Sequence, residues 1–393
     1  MSLFDKCYNY TKAKEVQASG YYPYFRPIQD SYDTEVVVEG HRKVMVGSNN
    51  YLGLTHHPKV LAAAKDALEQ YGSGCTGSRF LNGTLDLHNR LERELAEFLG
   101  KEDALVFSTG FQTNLGVIAS LVGRNEHIFS DRLNHACIID GARLSYGDTH
   151  KYHHSDMEDL ERQLKRVPED AGKLIVTDGI FSMEGDIADL PAITSLAEVH
   201  GAKVMVDDAH AFGVLGQTGA GTAEHFGLTD EVDLIVSTFS KSLASIGGVV
   251  AGPEAVIHYL KHHARTLIFS ASMPPSAVAT VLAALDVLRS EPERLERLWH
   301  NTRRMQEGLT ELGYDIGDSE TPVVPVVIGE LEQMLVFWKE LFDTGVFTNP
   351  VTPPAVPEHS CRLRISLMAT HTDDHVDQVL DAFAKVGKEM AVI

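Results

Sequence analysis

Lys241 lies in Val236-Ser-Thr-Phe-Ser-Lys-Ser-Leu-Ala-Ser-Ile-Gly-Gly248, among the hydroxyls of Thr238, Ser240, Ser242 and Ser245, with no acid within four residues. Lysine is almost never buried without a reason, and here the local sequence offers no ion-pair partner. Two chemistries suit such a group: holding a phosphate, or forming a Schiff base with a carbonyl cofactor of the pyridoxal phosphate kind. A solvated lysine at a strand end would look the same from these residues alone.

Other reactive side chains also follow short apolar runs. Val206 leads into Asp207-Asp-Ala-His210, Val176 into Thr-Asp-Gly-Ile-Phe-Ser182-Met-Glu-Gly185, and Phe107 into Ser108-Thr-Gly-Phe-Gln112. Parallel strands would bring these tips to one edge, where open α/β sheets hold ligands, so they are expected to converge on Lys241. An acid deep at such a tip would pair with a cationic ring nitrogen. Gly110 and Phe111, opening a helix, would offer backbone N–H groups to a phosphate. Singly, each has an ordinary explanation: Asp207-Asp208 as a helix cap, Gly110 as a turn. Together with the isolated lysine they point to one site.

The elements that must position these groups are visible in the periodicity. Ala104–Phe107, Lys173–Val176, Lys203–Val206, Leu234–Val236 and Gly248–Val250 read as buried strands separated by helical segments. The expected fold is therefore α/β, a mostly parallel central sheet covered by helices. Helical spacing covers Pro58–Tyr71, the series Leu87, Leu91, Leu95, Phe98, and Ala277–Leu288; Gly72–Arg79 is a glycine-rich loop. Thr34–Glu39 alternates like a strand, and the proline-rich Asn349–Pro357 reads as a stiff connector before a last strand, Arg362–Ser366. The expected division is an N-terminal segment (residues 1–45), a large domain (46–285) and a smaller α/β C-terminal domain (286–393), since one core stops growing near ~250–300 residues.

Composition removes several classes of function. The 393 residues carry 55 acids and 34 bases, a formal charge of −21, which argues against nucleic acid, whose affinity rests on Lys and Arg. No apolar run approaches the ~20 residues of a membrane helix. Asp5 stands where an export signal would be apolar, so a cytoplasmic location is expected. Cys7, Cys75, Cys137 and Cys361 lie far apart without a CxxC pair and read as reduced thiols. The three HH pairs lack further ligands at metal spacing, and no metal is expected. Ser108–Gly116 lacks G-x-G-x-x-G, and neither a P-loop nor a G-x-S-x-G elbow occurs.

The chain resembles the α-oxoamine synthases, a branch of the fold-type I pyridoxal phosphate enzymes. The resemblance runs from about Tyr22 to Thr372. It is carried by Tyr24-Phe-Arg-Pro-Ile-Gln29, Gly47-Ser-Asn-Asn-Tyr-Leu-Gly53, Gly77-Ser-Arg-Phe-Leu-Asn-Gly-Thr84, Asp178-Gly-Ile-Phe-Ser-Met-Glu-Gly185, Thr238-Phe-Ser-Lys-Ser242 and Ser366-Leu-Met-Ala-Thr-His-Thr372.

Roles follow from that resemblance. It implies that Lys241 carries the cofactor and later removes the Cα proton, that Asp207 pairs with the pyridine nitrogen, and that His135 stacks on the ring. His210 and Ser182 would lie near the ring hydroxyl. Thr238, Ser240 and the Gly110 and Phe111 amides would hold the phosphate, and Ser272 would reach that of a neighbouring subunit in a homodimer. Arg364 would hold the amino-acid carboxylate, with Asn49, Tyr51 and Ser78 lining the same pocket. Cys137 departs from the family pattern, which has serine there. The implied reaction is decarboxylative condensation of L-serine with a long-chain acyl thioester, on CoA or an acyl carrier protein, to 3-ketodihydrosphingosine. Cysteate, or glycine or alanine with a shorter thioester, are the alternatives within the family. A pyridoxal-binding subunit without catalysis, as some heterodimers of the family contain, is the alternative from a different functional class. A lipid product also raises contact with the inner membrane face, for which the Tyr21–Phe25 aromatics are the candidate.

Overall fold

The computed structural model of the chain describes residues 2–393. Two compact units result: Asn49–Leu298, and the residues up to Ser48 together with Trp299–Ile393.

In the larger unit a seven-stranded sheet is built from β1 (Asp103–Phe107), β2 (His127–Asp131), β3 (Asp148–Tyr152), β4 (Lys173–Asp178), β5 (Lys203–Asp207), β6 (Leu234–Thr238) and β7 (Gly248–Gly252), in the order β1-β7-β6-β5-β4-β2-β3. All neighbours are parallel except β7, which runs antiparallel to both β1 and β6. The reason is local: the segment from Phe239 to Gly247 is too short for the crossover helix a parallel return needs.

Side-chain parity assigns the two faces. Val106, Ile175, Val204, Val206 and Ile235 join one apolar cluster, while Leu105, Leu174, Val176, Met205 and Val236 join the other. Both faces are covered, so β4 and β7 are buried at every position, as expected of a helix-covered parallel sheet. Helices Pro58–Tyr71, Asp86–Phe98 and Pro275–Ser290 pack in this unit and match the spacings read from sequence. The sequence reading missed β2 and β3. The strand β3 (Asp-Thr-His-Lys-Tyr) lies at the sheet edge and buries only Tyr152, so no apolar run marks it.

The smaller unit holds two sheets. One is ordered Asp30–Ser31, Glu35–Val38, His41–Met45, Val346–Phe347; the other Val323–Gly329, Cys361–Ser366, Asn349–Val351. The parallel pairing of Val346–Phe347 with Val44 and Met45 joins the N-terminal residues to the C-terminal part. Asn349–Val351, expected as connector, is instead an edge strand paired with Arg362–Arg364. An edge is where a strand tolerates proline, here Pro350, because one side needs no ladder donor.

Candidate active site

Because β1, β2, β4, β5 and β6 run the same way, their carboxyl ends share one edge with the start of β7. A cavity of about 330 Å3 opens there, lined among others by Gly110, Phe111, His135, Asp178, Ser182, Asp207, His210, Thr238, Ser240 and Lys241. The convergence expected from the strand tips is present.

At one side of the cavity a helix begins. Thr109 is extended (φ −150°, ψ 155°) and its Oγ1 accepts the Gln112 N–H at 3.1 Å, starting the helix Gly110–Leu121. The amides of Gly110 and Phe111 precede any intrahelical acceptor and sit at the positive end of the helix dipole. Gly110 is required by packing: a Cβ there would come within 2.6 Å of Thr238 Cβ. Thr238 Oγ1 is 3.0 Å from Ser240 Oγ, so hydroxyls flank the two amides. Such a cradle suits a phosphate.

Across the cavity Asp207, 3% exposed at the end of β5, accepts Asn114 Nδ2 at 2.7 Å and the Ala209 N–H at 3.0 Å. Both donors are neutral, and a buried carboxylate favours a cationic partner. A protonated ring nitrogen would supply one. Burial, reinforced by the Asp207 charge, pushes the Asp178 carboxyl well above the carboxylate range.

His135 caps the helix Ala136–Leu144: its Nδ1 accepts the Cys137 N–H at 3.2 Å and lies 2.8 Å from Cys137 Sγ. An accepting Nδ1 leaves the proton on Nε2. Burial holds this imidazole below its ordinary value, with the Asp207 carboxylate opposing and the Lys241 ammonium adding to it. The Phe111 ring meets His135 edge-on, centroids 6.4 Å apart. Burial, with Asp207 and Asp178 close by, pushes the Cys137 thiol far up, so it stays protonated. His210 Nδ1 is 2.7 Å from the Tyr51 hydroxyl, which is fully buried.

The remaining expected site residues are not among those that line this cavity. Asn49 Oδ1 is 3.5 Å from the Tyr51 hydroxyl. Ser78 is buried, its Oγ without a hydrogen-bond partner among the described residues. Ser272 Oγ donates to Gly77 O of its own chain at 3.2 Å. Arg364 belongs to the smaller unit, 7% exposed on the strand Cys361–Ser366. Sequence reasoning assigned no role to Asn114, Asp178 or Ile246, which line the cavity. The first had a signal, since it lies one helical turn beyond Gly110.

A model of the aminotransferase class I and II family matches residues 41–383. The chain belongs to that family. Serine palmitoyltransferase of Sphingobacterium spiritivorum is 53% identical over 99% of this chain and 98% of its own length. The 8-amino-7-oxononanoate synthase of Symbiobacterium thermophilum is 45% identical over 96% of this chain and 97% of its own. Among solved structures, serine palmitoyltransferase from S. paucimobilis with bound pyridoxal phosphate–myriocin superposes with a TM-score of 0.97 at 37% identity, covering 100% of both chains. Both enzymes are α-oxoamine synthases, the branch expected from the sequence, and the architecture is that of fold-type I pyridoxal phosphate enzymes.

Proposed function

We propose that this chain binds pyridoxal phosphate in the Lys241 cavity and condenses L-serine with a long-chain acyl thioester, losing carbon dioxide, to give 3-ketodihydrosphingosine. The observation that carries the reading is one cavity uniting Lys241, the buried Asp207 and the open first turn at Gly110. Full-length identity to serine palmitoyltransferase supports the choice of reaction.

Once bound, the cofactor supplies an electron sink that acidifies the substrate Cα–H. The chain's own residues do the rest. Asp207 keeps a negative charge against the ring nitrogen and Asn114 holds its carboxylate in line. The Gly110 and Phe111 amides with Thr238 and Ser240 hold the phosphate, and His210 and Ser182 face the ring hydroxyl. Lys241 would hold the cofactor through its amine, and the same amine, when free, would take the Cα proton. His135, its Nε2–H left free for donation, would stack on the ring. Arg364 is assigned the substrate carboxylate, which a guanidinium fork suits; Asn49, Tyr51 and Ser78 are likewise assigned to the amino-acid substrate. Ser272 is assigned to the phosphate of a second subunit, making the working form a homodimer.

Cysteate would require a further cation for its sulfonate. Arg79, the obvious candidate, is engaged: its guanidinium grips both Glu92 oxygens at 2.8 and 3.0 Å, and both side chains are buried. This favours serine. Among the described residues no helix is long and apolar enough to cross a membrane. We place the enzyme in the cytoplasm, with Phe25, 94% exposed, as the residue available to the membrane face.

The deciding experiment is a spectral titration of the cofactor-loaded protein with L-serine, L-cysteate, glycine and L-alanine, then addition of palmitoyl-CoA while thiol and carbon dioxide are followed. Saturable response to serine with thiol release is expected. A tight response to cysteate alone would move the reaction to sulfonolipid synthesis, and silence with all four would end the Lys241 mechanism.

A further inference from the structure

We propose that His154 is a positioning residue for this cavity: as an imidazolium held between two carboxylates, it fastens the hairpin that carries Ser182 to the tip of β2. The proposal rests on the reading of the cavity given above and extends it to a residue outside the cavity lining.

His154 Nδ1 lies 3.2 Å from each oxygen of Asp131, and Nε2 lies 3.0 Å from Asp186 Oδ2. Carboxylates only accept, so both ring nitrogens must donate, which requires the protonated ring. Asp131 ends β2, is 2% exposed, and also accepts the Leu133 and Ser155 N–H groups at 2.8 and 3.0 Å. It is a fixed anchor. Asp186 belongs to a tight hairpin closed by the Ile180–Ile187 bridge, by Phe181 N–H to Asp186 O at 3.0 Å and by Gly185 N–H to Phe181 O at 2.8 Å. Ser182 sits within that turn and reaches the cavity. The His154 ring meets the neighbouring Phe181 edge-on with centroids 4.4 Å apart.

Asp186 Oδ1 is buried and has no hydrogen-bond partner among the described residues, so the imidazolium supplies the compensation for that carboxylate. Removing the cation would leave two carboxylates facing each other at low solvent access, and their repulsion would push the hairpin away from β2. Burial by itself would lower the His154 pKa, but the hydrogen bonds and charges of Asp131 and Asp186 push it up to about 10. The ring is thus a standing cation at physiological pH.

The test begins with the unaltered protein, its histidines labelled with 15N, examined by NMR at pH 8. Both His154 nitrogens are expected to be protonated, and a neutral ring would overturn the proposal. His154→Gln should then speed amide exchange across residues 180–187 and weaken pyridoxal phosphate binding about tenfold, the scale of a lost charged hydrogen bond. His154→Arg, which keeps the charge and donors at both ends, should restore most of both. In a Ser182→Ala background His154→Gln should add little, because both act through one side chain. Fully additive losses, or unchanged exchange in the hairpin, would sink the clamp. If His154→Gln does not fold, the ring-nitrogen shifts and the Arg variant decide. If the unaltered protein fails to bind pyridoxal phosphate, the functional reading falls while the NMR and exchange readouts still judge the clamp.

Discussion

The Asn114 side-chain amide donates to Asp207 Oδ2 at 2.7 Å, from the second turn of the helix whose first turn opens the phosphate cradle. One helix therefore contributes to both ends of the proposed cofactor site. Asn114→Leu, similar in volume, would leave a buried carboxylate oxygen short of a donor at a cost of about 1–3 kcal/mol. Cofactor affinity should drop by roughly tenfold or more in an absorbance titration. Asn114→Asp, which sets a second carboxylate against Asp207, should do worse than Asn114→Leu.

Gly110→Ala should act on the phosphate end alone. The new methyl would lie 2.6 Å from Thr238 Cβ and 2.8 Å from its Oγ1, so helix start and strand end must part. Overpacking of this kind costs about 1–3 kcal/mol. The expected signature is a large loss of affinity for pyridoxal phosphate and a small one for pyridoxal, which lacks the phosphate. Equal losses for both ligands would contradict the assignment of this helix turn.

Cys137 should matter through His135. With Sγ 2.8 Å from Nδ1, the protonated thiol can donate to that nitrogen and favour the neutral ring. Cys137→Ala removes the donor and should raise the His135 pKa. Cys137→Ser keeps a hydroxyl donor and should leave it near the starting value. An NMR titration of the ring protons distinguishes the two; identical curves for both variants would remove the thiol from the argument.

The His154 clamp gives stability its own pH dependence. The ring's pKa rises from 6.5 to about 10 on folding, so the folded chain binds the proton more tightly than the unfolded one. The contribution is complete below about pH 6.5, declines as pH rises, and is exhausted above about 10. The melting-temperature gap between the unaltered protein and His154→Gln should be widest near pH 6 and close toward pH 10. A gap constant over that range would contradict the raised pKa.

Much of the frame was legible because burial on both faces leaves a plain mark. The runs around Leu174, Val204, Leu234 and Val249 are apolar at successive positions since each face of the sheet has its own core. The edge strand β3 and the proline-bearing Asn349–Val351 were not legible, because an edge strand is recognised by its hydrogen-bonded neighbour and not by its own composition. Within the site, residues at strand ends were found by their place after an apolar run. Asn114 and Asp131 were not, since each acts on a partner distant in sequence.

The amino-acid sequence by itself determined the α/β class, the family, and the fact that reactive side chains stand at successive strand ends, because continuous apolar strand runs and the residues that follow them are written locally. Tertiary structure decided which of those groups meet. It set Asn114 against Asp207, spent Arg79 on Glu92, and placed His154 between Asp131 and Asp186. Charges and hydrogen bonds depend on separations of a few ångströms across the sheet, and those separations exist only once the strands have taken their order.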